Sequence, residues 1–128
     1  MIHQVTKGIK ISVEVKFEGT FTRKSFQQHA FTYYISIENL GKDTIQLVSR
    51  HWKILESTNR PNYLKDNGVV GVKPILKSGE IYSYKSGCHI NSTVGSMSGK
   101  YTMINFTNAQ KFSVDVPNFK LSVPYILN

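Results

Sequence analysis

The sequence predicts an all-β fold, an antiparallel β-sandwich of about eight strands. Several segments alternate apolar with polar residues, which is the pattern of strands with one buried face and one wet face. Turn-forming clusters recur about every 8 to 15 residues, and no segment of about 11 residues or more has a helical period. Together these observations favour two packed antiparallel sheets.

The N-terminal half accounts for three of the predicted strands. Alternation is most regular over residues 8–17, and it resumes over residues 29–39. Between them, the polar segment 18–28 predicts a loop or a long hairpin connection. A turn at residues 40–43 then leads into the third strand, residues 44–56.

This third strand carries the only tryptophan of the chain and a change of apolar phase. Ile45 and Leu47 are apolar at odd positions, whereas Trp52 and Ile54 are apolar at even positions. Because side chains alternate between the two faces of a strand, the shift from Val48 onward predicts a β-bulge or a strand that twists between two sheets. We expect Trp52 to anchor the core.

The C-terminal half supplies the remaining strands. Turn clusters are expected at residues 57–62, 66–68 and 77–80. Residues 69–76 contain a glycine and a proline and predict an edge segment or an extended loop. Strands are expected over residues 81–88, 96–105, 111–116 and 119–123. Nothing marks a linker or a repeat, so residues 1–128 are expected to form one domain.

The chain is strongly basic, but its charges are dispersed. Sixteen Lys and Arg residues against eight Asp and Glu residues give a net charge of +8, which favours encounters with anions. No block of about five basic residues occurs, so a solvated basic surface is favoured. Five tyrosines interleaved with two lysines could form a stacking platform for single-stranded nucleic acid: Tyr33, Tyr34, Tyr82, Tyr84 and Tyr101, with Lys85 and Lys100. Aromatic residues on strands more often pack in a core, however, and this interpretation is favoured. Nucleic acid is not an expected partner.

The expected compartment is the cytoplasm. No apolar run approaches the ~20 residues of a membrane span, and the N-terminus lacks the apolar run of a signal peptide. The one cysteine, Cys88, excludes an intrachain disulfide and is compatible with a reducing environment. We therefore expect no membrane insertion.

No catalytic or metal-binding constellation is apparent in the sequence. The four histidines are scattered, and the eight acidic residues never cluster as ligands of hard cations do. Cys88 and His89 are adjacent, and neighbours on a strand point to opposite faces, so they are not expected to pair as nucleophile and base. No catalytic residue, metal or cofactor is predicted.

A set of ordered motifs runs along nearly the whole chain. The main ones are Ile37-Glu38-Asn39-Leu40-Gly41, Ser49-Arg50-His51-Trp52, Gly68-Val69-Val70-Gly71, Ser78-Gly79-Glu80 and Phe119-Lys120-Leu121-Ser122-Val123-Pro124. In this order and at this spacing, they make the chain resemble the bacterial ApaG family, also called CorD.

The resemblance carries expectations about both fold and function. It implies an immunoglobulin-like or fibronectin type III-like β-sandwich, in agreement with the strand pattern. Similar domains are appended to eukaryotic adaptor proteins, so the resemblance implies a non-enzymatic accessory module that binds a protein. The bacterial members are associated by name with cobalt and magnesium efflux, which implies a link to Co²⁺ and Mg²⁺ homeostasis.

Four residues are candidates for contact with a ligand or partner. Arg50 offers a bidentate fork to an anion, and His51 adds a side chain of the type that titrates near neutrality. The favoured interpretation is that both belong to a hydrogen-bond network beside Trp52, because no nearby acid or nucleophile is evident in the sequence. Gly68 and Gly71 lie in a loop that the resemblance relates to pyrophosphate-binding loops. Asp66 replaces the first glycine of such a loop and no helix pattern follows, which favours a structural turn.

The leading hypothesis is therefore a module that binds an unidentified partner protein. Its binding surface would be the loop end that carries residues 68–71, with Arg50 and His51 nearby, because loops on a rigid scaffold usually carry recognition. The alternative is a module that binds phosphate, pyrophosphate or a nucleotide through the glycine-rich loop.

Overall fold

Two antiparallel sheets face each other in the computed structural model, which describes residues 1–57, 61–67 and 72–124. In chain order, the strands of these ranges are β1 (Ile2–Thr6), β2 (Ile9–Arg23), β3 (Phe26–Asn39), β4 (Ile45–Glu56), β5 (Asn62–Asn67), β6 (Ile75–Leu76), β7 (Ile81–Ile90), β8 (Val94–Asn105) and β9 (Lys111–Ser122). The first sheet has the order β1-β2-β3-β7. The second has the order β5-β4-β8-β9, and β6 pairs with β4. The predicted all-β antiparallel sandwich is confirmed.

The core lies between the inner faces of the two sheets, and an aromatic cluster occupies its centre. Trp52 of β4 is only 3% exposed. Its ring centroid lies 5.5 Å from that of Tyr33, 5.9 Å from that of Tyr101 and 6.1 Å from that of Phe119. Aromatic pairs at such distances add to the free energy gained by burial. Trp52 therefore anchors the core as the sequence predicts, and it joins strands of both sheets.

The predicted β-bulge in β4 is present at Val48. Leu47 pairs with Met103 of β8, and the next pair is Ser49 with Thr102, so Val48 is the extra residue. The inserted residue reverses the alternation of β4. Arg50 and Trp52 consequently point into the sandwich, while His51 and Lys53 point outward.

Gly99 of β8 makes room for the tryptophan. It pairs directly with Trp52, and a Cβ atom at this position would lie 2.7 Å from Cε3 of the indole ring. Real Cβ atoms do not approach a ring so closely. The absence of a side chain at Gly99 therefore lets the indole pack directly against the neighbouring strand.

The segment 18–28 is mostly strand, which corrects the expectation of a loop or long connection. β2 continues to Arg23 and β3 begins at Phe26, with only Lys24 and Ser25 between them. These two residues have φ values of 48° and 70°, as a tight two-residue hairpin turn requires. Both faces of this hairpin are largely exposed. The sequence pattern does not reveal these strands, because neither face of the hairpin is buried and apolar residues therefore do not alternate with polar ones.

The structure also differs from the sequence-based expectation at β1, β5 and β9. β1 pairs with β2 through a turn at Lys7 and Gly8, and it was missed because four of its five residues are exposed. β5 lies between the expected turn clusters 57–62 and 66–68 and overlaps both, where no strand was expected. The expected strands 111–116 and 119–123 are one strand, β9, whose pairing with β8 shifts between Val116 and Phe119. A bulge in β9 thus separates the two apolar runs.

Replacing Trp52 with alanine should lower the free energy of unfolding by about 3–5 kcal/mol, because the change empties the centre of the core. Urea denaturation followed by circular dichroism measures this. Tyr63→Ala is the matched control, since Tyr63 is 68% exposed and its loss should cost less than about 1 kcal/mol. Equal costs for the two variants would contradict the assignment of Trp52 as the core anchor.

Candidate functional site

Arg50, one of the four candidate residues, lies inside the sandwich. Its side chain is only 5% exposed, and its guanidinium carbon lies 5.6 Å from the ring centroid of Tyr84 on β7. A hydrogen bond also links Arg50 to Tyr84, whose hydroxyl group is hydrogen-bonded to that of Tyr101. Arg50 therefore joins a polar network in the interior, and its charged head does not reach the surface.

The tyrosines of this network remain neutral. Burial raises the pKa of Tyr84 to about 12, although its hydrogen bonds to Tyr101 and Arg50 act in the opposite direction. Burial likewise raises the pKa of Tyr101 well above its ordinary value. The hydroxyl groups consequently interact with the arginine as neutral dipoles. The network links β4, β7 and β8, and so connects the two sheets.

His51 lies on the opposite face of β4, where it lines an open groove. The groove has a volume of about 410 Å³ and crosses the outer face of the second sheet. Besides His51, its polar lining includes Gln4, Lys53, Tyr63, Lys100 and Asp115. Gly68 and Gly71 lie outside the residues that the structure describes. Of the four candidates, His51 is thus the one that the structure brings to a described surface groove.

Strand register determines how the side chains of the groove are arranged. His51 pairs with Lys100 of β8, and Lys100 pairs with Asp115 of β9. Two residues further along β4, Lys53 pairs with Tyr63 of β5 on one side and with Ser98 of β8 on the other. Neighbouring strands are about 4.8 Å apart, so these side chains form two adjacent rows across the sheet.

The groove has an excess of positive charge. Lys53 Nζ lies 5.8 Å from the ring centroid of Tyr63, within the range of a cation–π contact. Lys100 Nζ lies 4.0 Å from Asp115 Oδ1, and both side chains are well exposed, so this ion pair is weak. Among the described lining residues, Asp115 is the only carboxylate. The surface therefore favours an anionic ligand over a cationic one.

Sequence reasoning missed most residues of this groove. Lys53, Lys100 and Asp115 are far apart in the chain and have no motif spacing. A signal was present for Lys53, because the phase change at Val48 sends odd-numbered residues of β4 to the outer face. The contribution of β8 and β9 depends on pairing register, which no local pattern reveals.

Cys88 and His89 lie on different faces of β7, as the sequence predicts. Cys88 is half-buried and packs against the core. Burial, together with the charge of Glu56, raises the pKa of its thiol to about 11. The ring of His89 lies 5.5 Å from that of Phe21, in a T-shaped contact. The adjacent pair therefore does not form an activated thiolate and its base.

Neither a metal site nor a membrane span emerges from the part of the chain that the structure describes. There, no three His, Cys, Asp or Glu residues come together as a metal site requires. The same residues include no helix with the length and apolar character needed to cross a membrane.

Comparison with known proteins gives consistent matches over most of the chain. The ApaG domain family matches residues 19–105. Protein ApaG of Vibrio cholerae serotype O1 is 36% identical over 120 residues, which cover 94% of either chain. Protein ApaG of Bradyrhizobium diazoefficiens is 36% identical over 124 residues, which cover 97% of this chain and 95% of the relative.

Solved structures show the same architecture. A crystal structure described as an ApaA protein of Bordetella pertussis has a TM-score of 0.83 and 33% identity, covering 92% of this chain and 95% of the other. An X-ray structure of a structural genomics target has a TM-score of 0.87 and 28% identity, covering 94% and 90%. The two-sheet fold is thus similar to experimentally determined ones.

The raised pKa predicts slow alkylation of Cys88. Because the thiolate is the reactive form, a shift of the pKa from 9.0 to about 11 lowers its population roughly 100-fold at pH 8. The rate of reaction with iodoacetamide should therefore be at least about 100-fold lower in the folded protein than in urea. It should rise with pH up to the folded pKa. Equal rates in the two states at pH 8 would contradict the burial of this thiol.

Proposed function

The chain belongs to the ApaG domain family, and we propose that it is a non-enzymatic module that binds a partner protein on the outer face of its second sheet. The groove that contains His51, Lys53 and Lys100 is the observation that carries this proposal. It presents polar and aromatic side chains on paired strands, so the surface is formed before the partner arrives. Preorganisation of this kind lowers the entropic cost of association.

The distribution of polar groups also supports a binding role over a catalytic one. Arg50 is engaged in the interior with Tyr84, and the raised pKa of Cys88 disfavours a nucleophilic thiolate. The groove, in contrast, presents lysines and amide groups, which suit recognition. In this proposal Arg50 supports the position of β4, and His51, the next residue, contacts the partner.

The cellular role that we propose follows the family resemblance. It is a contribution to Co²⁺ and Mg²⁺ homeostasis through the bound partner, without direct coordination of either ion by this chain. The cytoplasm is the proposed compartment, because the single cysteine forms no disulfide within the chain.

A steric block in the groove tests the binding proposal. Ser98→Trp adds a bulky side chain to the groove wall on β8, whereas Ser83→Trp makes the same change on the exposed face of β7 in the first sheet. The partner is first captured from native cells and identified, and its affinity for each purified variant is then measured. We expect S98W to weaken binding at least about tenfold, or about 1.4 kcal/mol, and S83W to leave it unchanged. Equal affinities for the two variants would refute the groove as the docking surface.

The alternative function is binding of phosphate, pyrophosphate or a nucleotide. The positive charge of the groove, with Tyr63 beside Lys53, favours it as the second candidate. Calorimetric titration with pyrophosphate and with ATP distinguishes the two locations at which such a ligand could bind. Saturable binding that Gly71→Ala abolishes would indicate the glycine-rich loop, whereas loss in Lys100→Ala would indicate the groove. Absence of saturable binding to the wild-type protein would eliminate this alternative.

A further inference from the structure

We propose that the segment bound in the groove is an acidic, extended stretch of the partner protein that lies along β4 and β8 with carboxylates at alternate positions. This inference rests on the proposed function and specifies the chemistry of the partner. It follows from three properties of the groove: its charge, the spacing of its basic side chains and the state of its backbone amides.

The positive charge of the groove favours a ligand that carries carboxylates. His51 and Lys100 stand opposite each other on β4 and β8, and Lys53 follows on the same face of β4. Asp115 forms an ion pair with Lys100 at 4.0 Å, and this pair is weak because both side chains are solvent-exposed. Lys53 carries a second positive charge beside the ring of Tyr63. An acidic residue placed over Lys100 would therefore add a charged contact, to which the neighbouring imidazole of His51 can contribute a hydrogen bond.

The spacing of the basic groups matches an extended peptide. His51 and Lys53 are two residues apart on one strand, which separates their Cα atoms by about 6.6–6.8 Å. Alternate residues of an extended ligand have the same separation and point to the same side. One carboxylate would thus meet the His51 and Lys100 pair, and the carboxylate two residues away would meet Lys53.

The backbone of the groove disfavours a compact phosphate site. A phosphate cradle needs convergent, unpaired backbone N–H groups. Here the basic residues are carried by central strands of the sheet. His51 and Lys53 of β4 each pair with both β5 and β8. Lys100 of β8 pairs with both β4 and β9, and the register shift between β8 and β9 falls at Ser98. The backbone at the basic residues is therefore engaged in the ladder, and the basic side chains are spread over two rows. An elongated anion matches this arrangement better than a compact one.

The remaining lining residues can hold the peptide backbone and an apolar side chain. Gln4 and Asn118 bring side-chain amides to the groove, and amides can donate to and accept from peptide groups. Tyr63 is well exposed beside Lys53 and offers an aromatic wall. The preferred segment would therefore combine alternating acids with an apolar residue at the position that faces β5.

The test uses a synthetic, dye-labelled peptide in which glutamate and valine alternate, with fluorescence anisotropy as the readout. Controls are the lysine–valine peptide and a peptide in which the same glutamates are contiguous. We expect the alternating acidic peptide to bind at least about tenfold more tightly than either control. Its affinity should fall with added salt, because the contacts are solvent-exposed.

Charge reversal identifies the site. The double variant K53E/K100E should lose at least about tenfold in affinity for the acidic peptide. The matched control K42E/K85E changes the net charge equally at exposed lysines outside the groove lining, and it should retain most of the affinity. Equal losses in both double variants would indicate attraction to overall charge alone and would overturn the inference.

Three further outcomes separate this inference from the proposed function. If S98W blocks the native partner but the acidic peptide does not bind or compete, the groove is still the docking surface and only the acidic class is wrong. If pyrophosphate or a single-stranded oligonucleotide displaces the peptide from the wild-type protein and binds more tightly in the groove, the inference is overturned in favour of another anion. If S98W leaves partner binding intact, the proposed function itself fails.

Discussion

The packing of Trp52 over Gly99 holds the centre of the sandwich together. The indole fills the centre of the core only because β8 has no side chain at the position paired with it. It faces the core only because the bulge at Val48 reverses the alternation of β4. The same reversal turns Arg50 inward and exposes His51 and Lys53. One inserted residue therefore determines both the composition of the core and the chemistry of the outer face.

The two faces of β4 carry polar side chains in different environments. On the inner face, Arg50 meets neutral tyrosines that join the two sheets, so a buried charge is accommodated by hydrogen bonding and by its contact with an aromatic ring. On the outer face, the basic side chains remain solvated and available. This division explains why adjacent residues of one motif have different roles in the proposal. In that proposal, Arg50 positions the strand and His51 contacts the partner.

Asn39, in one of the motifs that carry the family resemblance, has a structural role. Asn39 is buried, and its side-chain amide donates to the carbonyl oxygens of Asp43 at 2.8 Å and Leu76 at 3.0 Å, while its own side-chain oxygen accepts from Gly41 N at 3.0 Å. It thereby ties the end of β3 to the following turn and to β6. A buried polar group satisfied in this way stabilises one particular chain path. Such residues preserve the scaffold that presents the groove.

The fold class, the phase change at Val48, the burial of Trp52 and the separation of Cys88 from His89 could all be predicted from the sequence. All four follow from local alternation, which depends only on the order of residues along one strand. The sequence did not predict the strands of the hairpin 18–28 or strand β1. Both segments are largely exposed, and a strand without a buried face shows no alternation of apolar and polar residues. Two other features required the folded structure: the guanidinium of Arg50 lies in the interior, and a single groove is lined by Lys53, Lys100 and Asp115. These relations depend on the register between strands distant in the chain, which backbone pairing and core packing select together.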